Sequence, residues 1–253
     1  MPDIKLVIFS LCSFALVLAA NFLVSHYVNE QKHKNLIFKT VSIVTVIIHY
    51  SVLYYEYFTT GNATAGNALL LPIYPCHIAM WLLLILSCMK NKESRAFRII
   101  AEFTFYLGIV GGVIGLLFNE AYISTPDFAD WEVLKGLLSH VTMLFTAVYL
   151  LFGGYIKINT KNVISVTIGL LAMVADGYLM IGLHRAFGIE SPNCMFLLEN
   201  PFPSITWFNP YLLGAAGVLL VVIITVAVEH FTLLKEERAT TKMINKLKKG
   251  EAK

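Results

Sequence analysis

The sequence predicts an all-α polytopic membrane protein, a bundle of seven transmembrane helices with the N-terminus outside and the C-terminus cytoplasmic. Three observations predict it. Of 253 residues, 57% are hydrophobic and only 14% charged, and the mean hydropathy is +0.71, values that a soluble domain of this size does not reach. Seven apolar runs have the length of about 20 residues that crosses a bilayer. The cations also fall on one set of connections, as Lys and Arg do on the cytoplasmic side of membrane proteins.

Taken in order, the predicted spans cover residues 6–27, 37–58, 69–89, 98–118, 133–154, 163–184 and 210–232. Residues 1–232 form one membrane domain, and 233–253 a basic cytoplasmic tail; there is no internal repeat. The first run is too long for the core of a cleaved signal peptide, so it is read as a span. In the third run, Pro72 and Pro75 remove backbone donors and clash with the preceding turn, so this helix must kink or start late. In the fourth, Gly108 with Gly112 and Gly111 with Gly115 have the small-xxx-small spacing of close helix packing. Orientation rests on the charges: all 19 cations except Lys5, Lys135 and Arg185 lie in one set of loops or the tail. Between 119 and 132 the opposite side carries Glu120, Asp127, Asp130 and Glu132 with no cation. The formal charge of +3 is therefore an average over two unlike faces and does not point to nucleic acid. The partners it does point to are membrane lipids, and the location is the cell membrane.

Ionisable groups inside spans are expensive and usually face a partner or a wet cavity. Here they are His49 and Glu56 on the second span, Cys76 and His77 on the third, Glu102 on the fourth, His140 on the fifth, and Asp176 and His184 on the sixth. At about 1.5 Å per residue, His49, Cys76, His140 and Asp176 fall at one depth in the outer leaflet, on four different helices. Glu56 belongs with the aromatic belt of Tyr50, Tyr54, Tyr55 and Tyr57. A buried thiol becomes a nucleophile only beside a base or a cation. His140 is such a base for Cys76, with Asp176 or His49 available to orient it. The same residues also suit a transporter or ligand site. A receptor-like seven-helix protein shares this topology, and the absence of a lysine from the seventh span argues against its retinal-binding form. The four cysteines have no zinc spacing, and neither a metal nor a cofactor is expected. Cys76 and Cys194 both fall on the outer side, where a disulfide between them is possible. Asn62-Ala63-Thr64 is a glycosylation sequon that matters only in a eukaryotic secretory membrane.

Three segments, in order, carry a resemblance: Leu71-Pro72-Ile73-Tyr74-Pro75-Cys76-His77; Gly111-Gly112 leading through Pro126 to Leu138-Ser139-His140; and Asn193-Cys194-Met195-Phe196-Leu197 with Pro201 and Pro210-Tyr211. Together they resemble the YwaF-like family of bacterial integral membrane proteins and, more distantly, eukaryotic transmembrane lipid acyltransferases and hydrolases. The resemblance implies that Cys76 accepts an acyl group and that His140 is the general base. It also implies a substrate site drawn from His49, His77, Asp176 and Asn193, with Asn193 or a side chain of the second span donating to the oxyanion.

Overall fold

The computed structural model describes residues 3–61, 72–118, 126–160, 162–188, 193–200, 210–232, 242 and 245. The sequon at Asn62 and nearly all of the basic tail lie outside them. Among the described residues there are seven α-helices and no strand: α1 Ile4–Tyr27, α2 Gln31–Thr60, α3 Pro75–Cys88, α4 Arg95–Leu117, α5 Trp131–Phe152, α6 Asn162–Ala186 and α7 Pro210–Thr232, with a 3-10 turn at Cys194–Phe196 between the last two. By length and composition α1, α2, α4, α5 and α6 are able to cross a membrane, whereas α3 and the Gly214–His230 part of α7 are shorter apolar helices.

Local signals set the starts. The Asp3, Ser94 and Asp130 side chains accept from the N–H groups of Lys5, Phe97 and Glu132, satisfying donors that a first turn leaves without intrahelical partners. The third helix departs from the predicted span 69–89. It begins only at Pro75, which occupies its first turn, a position where the missing N–H costs nothing. Residues 72–74 approach it outside the helix, with Tyr74 extended. At 14 residues, α3 rises only about 21 Å, less than the hydrocarbon thickness of about 30 Å. The second helix departs the other way. It takes in Gln31 to Leu36, so Lys32, Lys34 and Lys39 ride on its first turns instead of in a loop.

α5 is the hub, packed against α1, α2, α3 and α4, while α6 packs on α4 and α7. Glycines let α4 approach closely. A Cβ on Gly108 would stand 2.5 Å from Ala147 Cβ, and one on Gly112 3.0 Å from Leu144 Cβ, both on α5. The core around these contacts joins Phe38, Met80, Leu83, Phe97, Phe105 and Tyr149. Opposite it, side chains such as Leu16, Phe22, Ile47, Leu171 and Ile223 are more than half exposed, as expected of a bundle whose outside faces lipid.

At the end of the bundle where α4 begins, Lys92 closes the C-terminus of α3. Its ammonium donates to the carbonyls of Leu86, Ser87 and Met89 at 3.0, 3.1 and 3.1 Å and sits over the rings of Phe38, Phe97 and Tyr155. Burial lowers its pKa from the usual lysine value, so the carbonyls and ring faces here compensate a desolvated charge.

Candidate functional site

At the opposite end, the segment entering α3 is tied to the turn after α6. The Met195 N–H donates to the Ile73 carbonyl at 2.8 Å, and the Phe196 ring stacks on Tyr74 with centroids 5.5 Å apart. Met195 and Phe196 have φ of 51° and 57°, a left-handed backbone that costs energy for side chains of this size. Asn193 holds the turn: its amide donates to the Glu199 carbonyl at 3.0 Å and accepts from the N–H groups of Leu198 and Glu199. Gly177 on α6 provides the seat, because a Cβ there would meet Leu197 Cδ1 at 2.6 Å and Met195 Cγ at 2.9 Å. Cys76, in the first turn of α3, is fixed in place by this clamp.

Across from Cys76 lie two glycines of α4. A Cβ on Gly111 would stand 3.9 Å from Cys76 Cα, and one on Gly115, a turn away, 2.2 Å from His140 Nε2. The imidazole of His140 therefore occupies the space that a side chain at 115 would fill. His140 Nδ1 lies 2.7 Å from the Gly136 carbonyl. A carbonyl only accepts, so Nδ1 carries the proton and Nε2 keeps its lone pair.

Cys76 and His140 line the same cavity of about 610 Å³. Its longest wall is one face of α4: Phe103, Tyr106, Leu107, Val110, Gly111, Ile114, Gly115 and Phe118. From 103 to 118 this stripe runs roughly 22 Å at 1.5 Å per residue. Met173 and Val174 of α6, Met195 to Leu197 of the turn, and Gly214, Gly217 and Val221 of α7 add apolar surface, and Asn193, Glu199 and Asn200 add polar groups. Cys76 and His140 thus stand, with Asn193, Glu199 and Asn200, among the polar residues of a long, mostly apolar trough.

The other predicted site residues divide. His49 and His77, both buried, bring their ring centroids within 4.7 Å. His49 on α2 and His77 on α3 are off the cavity wall, and His49 Nε2 has no hydrogen-bond partner among the described residues. Asn193 does line the cavity, with its amide engaged in the turn. Asp176 stands apart, half-buried on α6 and off the cavity. Its neighbour is the buried Cys194, whose thiol is pushed up by burial and by the Asp176 carboxylate. Cys76 and Cys194 are both free, so the disulfide considered between them is not formed. Glu102, toward the other end of α4, accepts from the Ser165 hydroxyl.

Sequence reasoning missed Lys135 and Gly115 as parts of this site. Lys135 reads as an ordinary cation at the end of a span, yet it is 7% exposed. Its spacing of five residues before His140 on an apolar helix was the available signal. Gly115 reads as a packing glycine, and nothing in the sequence says that its missing side chain is filled by a histidine. Among the described residues no group of three His, Cys, Asp or Glu has the arrangement to hold a metal ion.

No curated protein and no solved structure matches the chain. A family model does, over residues 3–228, from α1 to the last turns of α7 and across the whole site described above. The chain, a membrane protein with five helices long and apolar enough to span, belongs to the TMEM164 family.

Proposed function

We propose that this protein is a membrane-embedded acyltransferase or lipid hydrolase with Cys76 as nucleophile and His140 as general base. The observation that carries the proposal is the shared cavity: a thiol and an imidazole together beside an apolar trough roughly 22 Å long. Such a trough suits an acyl chain far better than a polar solute. In this reading all seven helices sit in the cell membrane with the C-terminus cytoplasmic, and the cavity takes lipid from the outer leaflet. The resemblance to YwaF-like proteins and to lipid acyltransferases, carried by residues of the same site, supports the same assignment.

Catalysis then runs in two halves. His140 Nε2 takes the proton from Cys76 Sγ as the sulfur attacks the ester carbonyl of a phospholipid. The tetrahedral oxyanion forms beside the first turn of α3, where the N–H groups of a helix start and the helix dipole favour negative charge. Collapse breaks the C–O bond, His140 returns its proton to the departing lysolipid oxygen, and the acyl group stays on Cys76 as a thioester. A lysolipid hydroxyl, or water, loses its proton to His140, attacks the thioester and releases the thiol.

The test is direct. Protein isolated from membranes should carry a hydroxylamine-sensitive acyl group on Cys76 that is absent in Cys76→Ala, and both Cys76→Ala and His140→Ala should shift the membrane acyl-chain profile. Unaltered profiles in both variants reject the assignment. A solute-binding role would instead show uptake that depends on Asp176 and His140 but survives loss of Cys76; that Asp176 lies off the cavity speaks against it.

A further inference from the structure

The cavity beside Cys76 has two unlike ends. Toward the turn after α6 its wall carries the polar Asn193, Glu199 and Asn200. Toward the Lys92 end it is apolar, and its last wall residues are Phe103 of α4, Val166 of α6 and Val221 of α7, none more than 6% exposed. Just beyond them the three helices are tied together. Glu102 accepts from the Ser165 hydroxyl, and the hydroxyls of Tyr106 and Thr225 share a hydrogen bond at 3.1 Å; all four residues are buried. Paired polar groups therefore close the trough at that end, with a phenyl ring as its last apolar surface. The ring has a fixed seat: a Cβ on Gly169 of α6 would stand 2.2 Å from Phe103 Cγ and Cδ2, so the ring fills the space that a side chain at 169 would take. Cys76 meets the wall at Gly111, and Phe103 lies two helical turns further along α4, about 12 Å away at 1.5 Å per residue. A straight acyl chain that spans one leaflet, roughly 15 Å or half the hydrocarbon thickness, reaches that ring.

We infer that the trough takes an acyl chain with its carbonyl at Cys76 and its methyl end against Phe103, and that Phe103 on its Gly169 seat sets the longest chain the site accepts. The inference deepens the acyl-transfer reading and rests on it for the chemistry at Cys76, whereas the fit of a chain to the trough is a matter of shape alone. The direction follows from the two ends. Glycerol and headgroup oxygens are costly to bury without polar neighbours, and the wall offers such neighbours only on the Asn193 side; a methyl end loses nothing against a phenyl ring. Length selection follows from the seat. Surplus methylenes in a filled apolar space force strained rotamers or a bent chain, and the ring cannot retreat, because the α6 backbone at Gly169 stands directly behind it.

The experiment treats the full-length protein in phospholipid nanodiscs with straight-chain alkyl methanethiosulfonates of graded length, from hexyl to octadecyl. A cysteine thiolate displaces methanesulfinate from the reagent and keeps the alkyl chain as a disulfide, so labelling reports how a chain fits without requiring catalysis. Peptide mass spectrometry reads the rates at Cys76 and at Cys12, which is exposed on α1 and corrects for partition of each reagent into the bilayer. The Cys76-to-Cys12 rate ratio should hold up to a break in chain length and then fall by about tenfold, the scale of the strain that surplus methylenes cause in a packed apolar space. Phe103→Ala should move the break to longer chains. Gly169→Ala, whose methyl drives the ring into the trough, should move it to shorter ones. Loosened packing alone would scale the ratio alike at every length and leave the break in place. If either variant fails to fold, Phe103→Leu and Phe103→Trp take their places as the lengthening and shortening changes. A break that does not move in the folded variants, a ratio without a break, or a Cys76 that no chain labels overturns the inference, even where a thioester is found on Cys76. Opposite shifts without any hydroxylamine-sensitive acyl group uphold the chain pocket while rejecting acyl transfer.

Discussion

The two ends of the bundle treat buried charge in opposite ways. At the Lys92 end, Lys92 spends its ammonium on three carbonyls, Glu102 accepts from Ser165, and Glu229 accepts from the Thr160 N–H at 3.2 Å. The polar atoms left without partners there, Tyr149 Oη, Asn162 Nδ2 and Asn21 Oδ1, belong to neutral side chains. At the Cys76 end, His49 Nε2 and Asp176 Oδ2 have no hydrogen-bond partner among the described residues, and Lys135 has no counterion there. A buried titratable group that is fully paired stabilises a fold, whereas one left incomplete is costly and points to a function. The first end holds the helices together, and the second leaves capacity for chemistry.

Substitutions can break or sharpen this contrast. The largest effect is expected for Cys76→Ala, which should abolish the acyl label at that position while leaving the melting temperature of the detergent-solubilised protein near the wild-type value. Gly115→Ala should follow. Its methyl would collide with the His140 ring, and a displaced base loses about 10²-fold in rate, read as the rate of thioester formation. The overpacking should also cost about 1 to 3 kcal/mol of stability, so the rate must be compared per folded molecule. At the other end the pattern reverses: Lys92→Met should lose about 2 to 3 kcal/mol, since it strips a charged donor from buried carbonyls, with the rate per folded molecule unchanged. Ser165→Ala should cost about 1 to 2 kcal/mol by leaving the Glu102 carboxylate without its hydroxyl. The smallest shift is expected for His49→Leu, where a ring nitrogen that has no partner is lost; its stability should stay within about 1 kcal/mol of wild type. A large destabilisation by His49→Leu in thermal unfolding would show that the Cys76 end is as structural as the other.

Much of the fold was legible because it depends on local composition. Apolar runs, capping residues such as Ser94 and Asp130 and the two prolines before Cys76 act within a few residues of themselves, so α1 and α4 to α7 fall within a few residues of their predicted bounds. The boundaries that moved, the late start of α3 and the early start of α2, are those where a proline or a stretch of charged residues competes with hydropathy. The glycines of α4 announced close packing, although not which of them meets a ring.

Half of the site was legible on similar grounds. Depth along a helix follows from residue count, which placed Cys76 and His140 at one height; the rotation of each helix about its axis does not. Asp176 is off the cavity. Asn193 was in the right segment, with its amide committed to a turn whose left-handed residues, Met195 and Phe196, have no signature in composition.

By itself the sequence determined that this chain is a helical membrane protein and, to within a few residues for five of its seven described helices, where they run. Only the tertiary structure decided that Cys76 and His140 share a cavity, that Gly115 makes room for the imidazole, and that Lys135 is buried. The physical reason is that hydropathy and capping are summed along the chain. Which side chains meet across helices depends instead on packing rotations, and these are set by contacts between residues far apart in sequence.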